Sequence, residues 1–542
     1  MTTTRRGPER GGAASVRFLA LALLLLAGCT PARTLPAFPA PEALPPGSPL
    51  RSRSLDPGTA WLRYYLITGE DSAALAAFGR HSAIAPGDHL LRALQHALVL
   101  RRAGEYARSN RAFEWAEREI ERRYTRSVSR GVGSILVSDR TLAYVPTTGE
   151  RMMIPFYRML NYLALGDTGG AVVEARKANE LRARLEPGPV EACRESGMVQ
   201  YLAGLVEASA GERNDALVSL RQAEQAFDGC PDGGAPPSLG GDLYRAARAA
   251  GVEELADSVR RRYALAPDSA AAADGDLVLL VESGFIGFRT EEALHVPILP
   301  EDVHGLGYDD DLGIERAAEN VTYRMRRRAW ERGGWDLDGD AGRTMAVAAM
   351  LGGDYVLRLA WPAFRLEADA PAGVRVLVAD SAAPLAGVGD LSLVARDEME
   401  RQRPAMLTRL VARGLTKYVL ASQVEKKARK QGGDGAGYFF GLLANLAANE
   451  TEHADTRSWS LLPDRVMMTR LRLPAGSYEV RVEVTGEAGA VHVHDLGYVR
   501  VEPGSLAVLS DRVWGGERRD LPVAPMEEPP APQADSVVAQ RP

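Results

Sequence analysis

Five stretches of the chain carry apolar residues at helical spacing, and each is broken once by a glycine. They read WLRYYLITGEDSAALAAF, HALVLRRAGEYARSNRAFEWA, YRMLNYLALGDTGGAVVEARKA, LAGLVEASAGERNDALVSLRQA and LYRAARAAGVEELADSV. The pattern predicts a helix, a turn and a second helix, five times over. With Gly69, Gly104, Gly166, Gly211 and Gly251 as fixed points, the fifth residue onward is Ala74, Ser109, Ala171, Ala216 and Ala256. The ninth is Phe78, Phe113, Ala175, Leu220 and Arg260. Small residues let two antiparallel helices approach, and larger ones fill the groove to the next pair.

These offsets resemble tetratricopeptide repeats. The glycines are 35, 62, 45 and 40 residues apart, against about 34 in a regular array, so the array is degenerate. The surplus falls near 125–150, where ILV and LAYV read as short strands or a loop. Helical pairs of this kind imply a solvent-facing groove that binds other proteins.

Beyond Pro267 the texture changes. DSAAAADGD reads as a linker. DLVLLVESGF, DYVLRLAWPAFRLE, VRVLVAD, DRVMMTRLRLP, SYEVRVEV, AVHVHDLGYVRVE and SLAVLSDRVW then read as strands rich in β-branched residues. LPAGSYEVRVEV has the look of an edge hairpin turning at AGS. Two helical stretches are inserted, one running from LVARDEME to KKARK and the other GYFFGLLANLAANETEH. The expected fold is multidomain: an all-α helical-hairpin array over 58–267, followed by an α+β domain over 276–515 with a β-sandwich-like sheet and a helical insertion.

The N-terminus sets the compartment. Phe18 to Ala27 is a run of ten apolar residues, where a membrane-spanning helix needs about 20. Arg5, Arg6, Arg10 and Arg17 precede it, which is the layout of a secretory leader. Leu26-Ala27-Gly28-Cys29 resembles the lipobox of bacterial lipoproteins, which implies cleavage after residue 28 and lipid on Cys29. By the same resemblance, Thr30 in place of Asp after that Cys implies the outer membrane of a two-membrane cell, with the protein facing the periplasm. Residues 29–57 are dense in Pro and read as a tether reaching on the order of 80 Å at polyproline rise. Residues 520–542 read as a disordered tail.

Charge narrows the class further. The formal net charge is −6, and the leader carries +3, so the mature chain stands at −9. Nucleic acid needs a basic footprint, and this chain lacks one.

Candidate chemistry is sparse. Besides Cys29, only Cys193 and Cys230 are present. They flank the pair centred on Gly211, where the start of one helix lies beside the end of the next, so a disulfide is expected in an oxidising compartment. Asp455, Arg457 and Trp459 in HADTRSW sit between a helix and a strand, and Arg457 with Asp455 can form a bidentate clamp or receive an anionic ligand. His492 and His494 share one face of a strand, which is how a metal site can begin; no third ligand is evident, and an exposed strand face is the simpler reading. Asp336, Asp338 and Asp340 alternate as in a calcium loop, but Ala341 and Val347 replace its Gly and Glu. Lys426, Lys427, Arg429 and Lys430 precede an apolar stretch that could touch a membrane or pack on the sheet. No nucleophile elbow, phosphate loop, CxxC or HExxH is present, and no cofactor is implied.

The blocks GERMMIPFYRMLNYLALGDTGGAVVEARKANEL, GDLVLLVESGFIGFRTEEALHVPI, RPAMLTRLVARGLTKYVLASQ and HADTRSWSLLPDRVMMTRLRLPAGSYEV occur in this order. Together they resemble a family of uncharacterised bacterial lipoproteins with a repeat-containing N-terminal half. The resemblance implies an envelope lipoprotein without an assigned reaction. The expectation is therefore a lipid-anchored scaffold that binds envelope proteins through its helical repeats, and not an enzyme. The alternative is a cell-wall or glycan-acting enzyme with its site in the C-terminal domain.

Overall fold

A computed structural model describes residues 38–45, 48, 50, 55–80, 88–128, 143–184, 193–230, 234–266, 274–306, 311–332, 355–366, 371–379, 381–432, 452–486 and 489–515. Cys29, the Asp336–Asp340 loop, the glycine-rich stretch after residue 432 with its apolar sequel, and the 520–542 tail lie outside the described residues. So do the side chains of Lys426 to Lys430.

The N-terminal region is all helical. Helices α1 (Pro57–Thr68) and α2 (Asp71–Arg80), α3 (His89–Arg102) and α4 (Tyr106–Val128), α5 (Thr148–Ala164) and α6 (Thr168–Arg184), α7 (Cys193–Ser209) and α8 (Arg213–Asp228), and α9 (Leu239–Ala249) and α10 (Glu253–Arg262) form five successive pairs. All five turn glycines have positive φ, between 73° and 82°, and a Cβ at Gly104, Gly166, Gly211 or Gly251 would meet no other atom. Backbone conformation, not space, therefore demands glycine at these turns. The five small residues at the fifth offset are all buried, as are Phe78, Phe113, Ala175 and Leu220. Arg260 breaks the series: it is exposed, and α10 is the last helix before the strands begin. A polar outer face is what the end of such an array needs.

In the pair α7–α8 two glycines in α7 allow close packing on α8. A Cβ on Gly204 would fall 2.6 Å from Leu220, and one on Gly197 would fall 2.8 Å from Phe227. Cys193 and Cys230 join in a disulfide at the open end of this pair, with Cα atoms 5.6 Å apart. Replacing both cysteines with Ser is expected to lower stability by roughly 2–4 kcal/mol. Denaturant unfolding of the variant beside the oxidised and reduced parent protein measures this.

Part of the Pro-rich stretch before α1, from Phe38 onward, packs against the helices. Phe38, Leu44, Leu50 and Leu55 are buried in the core of the helical region, and Pro41–Ala43 forms one 3-10 turn. Trp61 donates its Nε1–H to the carbonyl of Pro39 at 3.0 Å. The apolar residues that punctuate the prolines give the described part of this stretch something to bury; residues 29–37, nearest Cys29, lie outside the described residues.

The C-terminal region is mixed α+β with three sheets. Strands β1 (Asp274–Ser283), β6 (Ala386–Asp390), β7 (Arg465–Pro474) and β10 (Leu506–Val513) form one, in the order β10-β1-β7-β6. Strands β4 (Gly373–Val378), β5 (Ser381–Ala383), β8 (Gly476–Thr485) and β9 (Val491–Val501) form a second, in the order β5-β4-β8-β9. The two face each other through Leu277, Leu279 and Val281 on one side and Val376, Val480 and Val482 on the other. The opposite face of the first sheet, through Val278, Leu280, Val466 and Met468, joins the core of the helices. Because β1 is buried on both faces, its sequence LVLLV is continuous rather than alternating.

The third sheet pairs β2 (Phe288–Ile298) with β3 (Tyr355–Arg365) antiparallel, from Phe288 opposite Arg365 to Ile298 opposite Tyr355. It packs on α11 (Asp311–Arg332) and on α12 (Leu391–Gly432) through a separate core that includes Val296, Leu359, Trp361, Val321 and Leu410.

Two sequence expectations need correction. The hairpin at LPAGSYEVRVEV does not form: β7 pairs with β1 and β6, whereas β8 pairs with β4 and β9. The chain crosses at Ala475 from one sheet of the sandwich to the other. The turn residues permit a hairpin, but Met468 and Val482 belong to different cores. Helix α11 lies where the sequence reading placed no element, although Ile314, Ala318, Val321 and Met325 recur at spacings of four, three and four and are all buried.

Candidate functional site at the seam between helices and sheets

The first helix of each pair turns toward the C-terminal region. A single strip of chain, Glu452 to Leu462, follows α12 and precedes β7, and it runs against this inner face. Its contacts rise from the sequence in order. Ala454 N donates to Glu291 Oε2 at 2.8 Å. Arg457 makes the bidentate pair with Asp455, at 2.7 and 2.9 Å, and also donates through Nη1 to Asp88. Asp88 is nearly inaccessible and also accepts from Leu91 N at the start of α3. Arg457 thus ties the strip to the helical array, and no free cationic fork is presented to an outside anion.

Trp459 is fully buried. Its ring meets Phe113 at 5.8 Å and Tyr157 at 6.2 Å, both edge-on. Its backbone N–H donates to Glu150 Oε1 at 2.6 Å. Glu150 belongs to the capping box of α5, exchanging hydrogen bonds with Thr147. The same carboxylate therefore starts a helix and holds the strip. The TTGE sequence at 147–150 carries this signal, a capping box legible from Thr and Glu three residues apart.

Ser460 sits among polar side chains from α1 and α3. Its Oγ lies 2.9 Å from Thr59 Oγ1 and accepts from Gln95 Nε2 at 2.8 Å, while Gln95 Oε1 accepts from Leu461 N at 3.2 Å. Two buried guanidiniums close the arrangement. Arg63 of α1 donates to the carbonyls of Ser460 and Ile286, and Arg512 of β10 donates to those of Gly284, Leu461 and Leu462. Both lie over the Phe285 ring, at 4.8 and 4.5 Å. Burial draws the Arg512 pKa down to about 10, with Glu282 opposing the shift. It remains charged at neutral pH, and charge-assisted donors of this kind are the strong ones.

The groove expected to face solvent is therefore occupied by the chain's own residues. Further along the array, Arg470 of β7 pairs with Asp242 of α9 at 2.8 Å, so the covering extends past the strip.

Away from the strip the array leaves an opening. A cleft of about 500 Å³ between α4, α5 and α6 is lined by the apolar Ile120, Ile154, Pro155 and Leu181, with Glu117, Glu121, Lys177 and Arg184 also around it. Exposed apolar residues continue along the outer helices, with Trp115, Val173 and Val218 each exposed by more than a third. Val173 and Val218 occupy the same offset in consecutive repeats.

The remaining candidates are placed as follows. His492 and His494 do share a face of β9, but it turns toward the first sheet: His494 Nδ1 is 2.6 Å from Asp511 Oδ2 of β10. The exposed face of β9 instead carries Val491, Val493 and Tyr498. Among the described residues, no group of three His, Cys, Asp or Glu could hold a metal ion. Nor does any described helix have the length and apolarity to cross a membrane. The chain matches no protein-family model, and no curated protein matches it.

Proposed function

We propose that the protein is a lipid-anchored component of the bacterial envelope that acts as a scaffold, binding another envelope protein through the outer face of its helical repeats. The observation that carries this reading is the contrast between the two faces of the array. The inner face is filled by residues 452–462 and the first sheet, whereas the outer face keeps an open cleft lined by apolar and charged side chains. Apolar area combined with polar and charged groups is the usual anatomy of a protein-binding patch. The lipobox at Leu26–Cys29 and the resemblance to repeat-containing bacterial lipoproteins support the anchor on Cys29 and a periplasm-facing outer-membrane location. The formal charge supports a protein partner over nucleic acid.

A photo-crosslinking residue placed at Glu121 or Val173 in cells is expected to capture one dominant envelope protein, and the same residue at Val493 on the second sheet is expected not to. A Cys29→Ala chain should lose the capture. Partners found only from position 493 would move the binding surface to the sandwich and overturn the assignment to the helices.

A further inference from the structure

A small cavity lies where the helical array meets the C-terminal region. Glu150 from α5 and Glu195 from α7 line it on one side, with Glu398 from α12 and Arg289 from β2 on the other, and Phe364 and Leu391 among its apolar walls. Its free space suits about one water molecule, which weighs against a sugar ring or other organic substrate seated there.

The three carboxyls are not equivalent. Glu150 has both oxygens engaged: Oε1 accepts from Trp459 N, and Oε2 accepts from Tyr144 OH at 2.6 Å and from Thr147 N at 2.8 Å. All its hydrogen-bond partners are donors. Glu398 Oε1 accepts from Thr148 N at 3.1 Å and from Gln402 at 3.4 Å, whereas its Oε2 is buried without a hydrogen-bond partner. Glu195 is only 3% exposed, and its Oε1 is likewise buried and unpartnered. Arg289 is the cation lining the cavity, and its Nη1 is already committed to the Arg457 carbonyl at 2.9 Å. Three buried negative charges beside one shared guanidinium repel one another, and the cheapest relief is a proton on the least solvated carboxyl.

We propose that this cluster is a proton-operated latch between the array and the C-terminal region, in which Glu195 holds a proton at neutral pH and its loss in alkaline solution loosens the first turns of α12 from α5 and α7. The groups facing Glu195 across these elements are Glu150, Glu398 and Arg289, with Tyr144 and Asp455 at the margin. Burial first, and then the charges of Glu398 and Glu150, push the Glu195 carboxyl up to about 8. Burial also raises Glu398, against the opposing hydrogen bond from Thr148 N.

The sign follows from proton counting. A carboxyl with a folded pKa above its unfolded one binds more protons in the native state, so its contribution is whole below about pH 4.5 and is lost as pH rises to about 8. Across that window the unfolding constant should rise by up to about tenfold per pH unit.

The test uses the full mature chain and its Glu195→Gln variant, unfolded in denaturant at intervals from pH 5 to 9. The variant is expected to lose close to one proton of pH dependence and to exceed the parent in stability by at least about a hundredfold in the unfolding constant at pH 8, with parity near pH 5. Hydrogen exchange supplies the latch readout. After correction for intrinsic rates, amides at 149–151 and 391–398 should lose protection between pH 7 and 9 in the parent and keep it in the variant. Identical pH slopes, or unchanged protection at those amides, would overturn the proposal. Should the variant fail to fold, infrared spectroscopy of the parent decides. A protonated-carboxyl carbonyl band that bleaches near pH 8 supports the latch, and its absence at pH 7 sinks it.

Discussion

Arg512→Ala is expected to cost about 3–5 kcal/mol, enough to unfold much of the population at physiological temperature. The guanidinium is buried and donates to three carbonyls that belong to two different loops. Leu462 O keeps a second donor, Ile286 N at 2.8 Å, so the damage falls on Gly284 O and Leu461 O. Each buried acceptor left without a partner costs roughly 1–3 kcal/mol, and the vacated volume beside Phe285 and Trp514 adds to this. Lys at this position keeps the charge but not the planar fork that reaches separate carbonyls, so Arg512→Lys should recover less than half of the loss. Denaturant unfolding of both variants gives the numbers. Stability equal to the parent in Arg512→Ala would mean that the loops hold themselves and that the arginine is a passenger.

How much of this was legible in the sequence depends on the range of the interactions. The five turn glycines and the small residues five places later were readable because a helical pair is a local object: the turn needs positive φ, and the close approach needs a small side chain at a fixed offset. The strands β1, β4 and β7 to β10 were likewise marked by β-branched runs. The crossing at Ala475 was not readable, because residues 474 to 477 suit a hairpin as well as a sheet switch, and only the destination of Val480 and Val482 decides. Arg63 and Arg512 show the limit most clearly. They stand at opposite ends of the folded chain and meet on one loop, and no periodicity in either segment announces an arginine that points inward. The carboxylates at 150, 195 and 398 converge from three helices distant in sequence, so their mutual repulsion exists only in the fold. HADTRSW was singled out by its composition, and the bidentate pair within it is as local as a turn. Its third partner, Asp88, lies more than 350 residues away.

Trp459→Ala is expected to remove about 3–5 kcal/mol and, more informatively, to do so for both halves of the molecule at once. The ring fills the space between Phe113 of α4 and Tyr157 of α5, and the residues after it lie on the first sheet's side of the same core. Helical and sheet signals should therefore fall together in one transition shifted to lower denaturant. Were the strip a detachable lid over an independently stable array, the helical signal would keep its midpoint and only the sheet signal would move. Trp459→Phe separates volume from hydrogen bonding. The indole Nε1 has no hydrogen-bond partner, so Phe forfeits part of the packing and nothing else, and should lose no more than about half of what Ala loses. The same pair bears on binding. A partner that docks on the outer cleft should still be captured by Trp459→Phe, because the ring reaches the inner face only. A partner that needed the inner face would have to displace residues 452–462, and its capture should then improve as the strip is weakened. Retained capture in the Phe variant, falling only when Trp459→Ala unfolds the chain, is the outcome that places binding on the outer cleft.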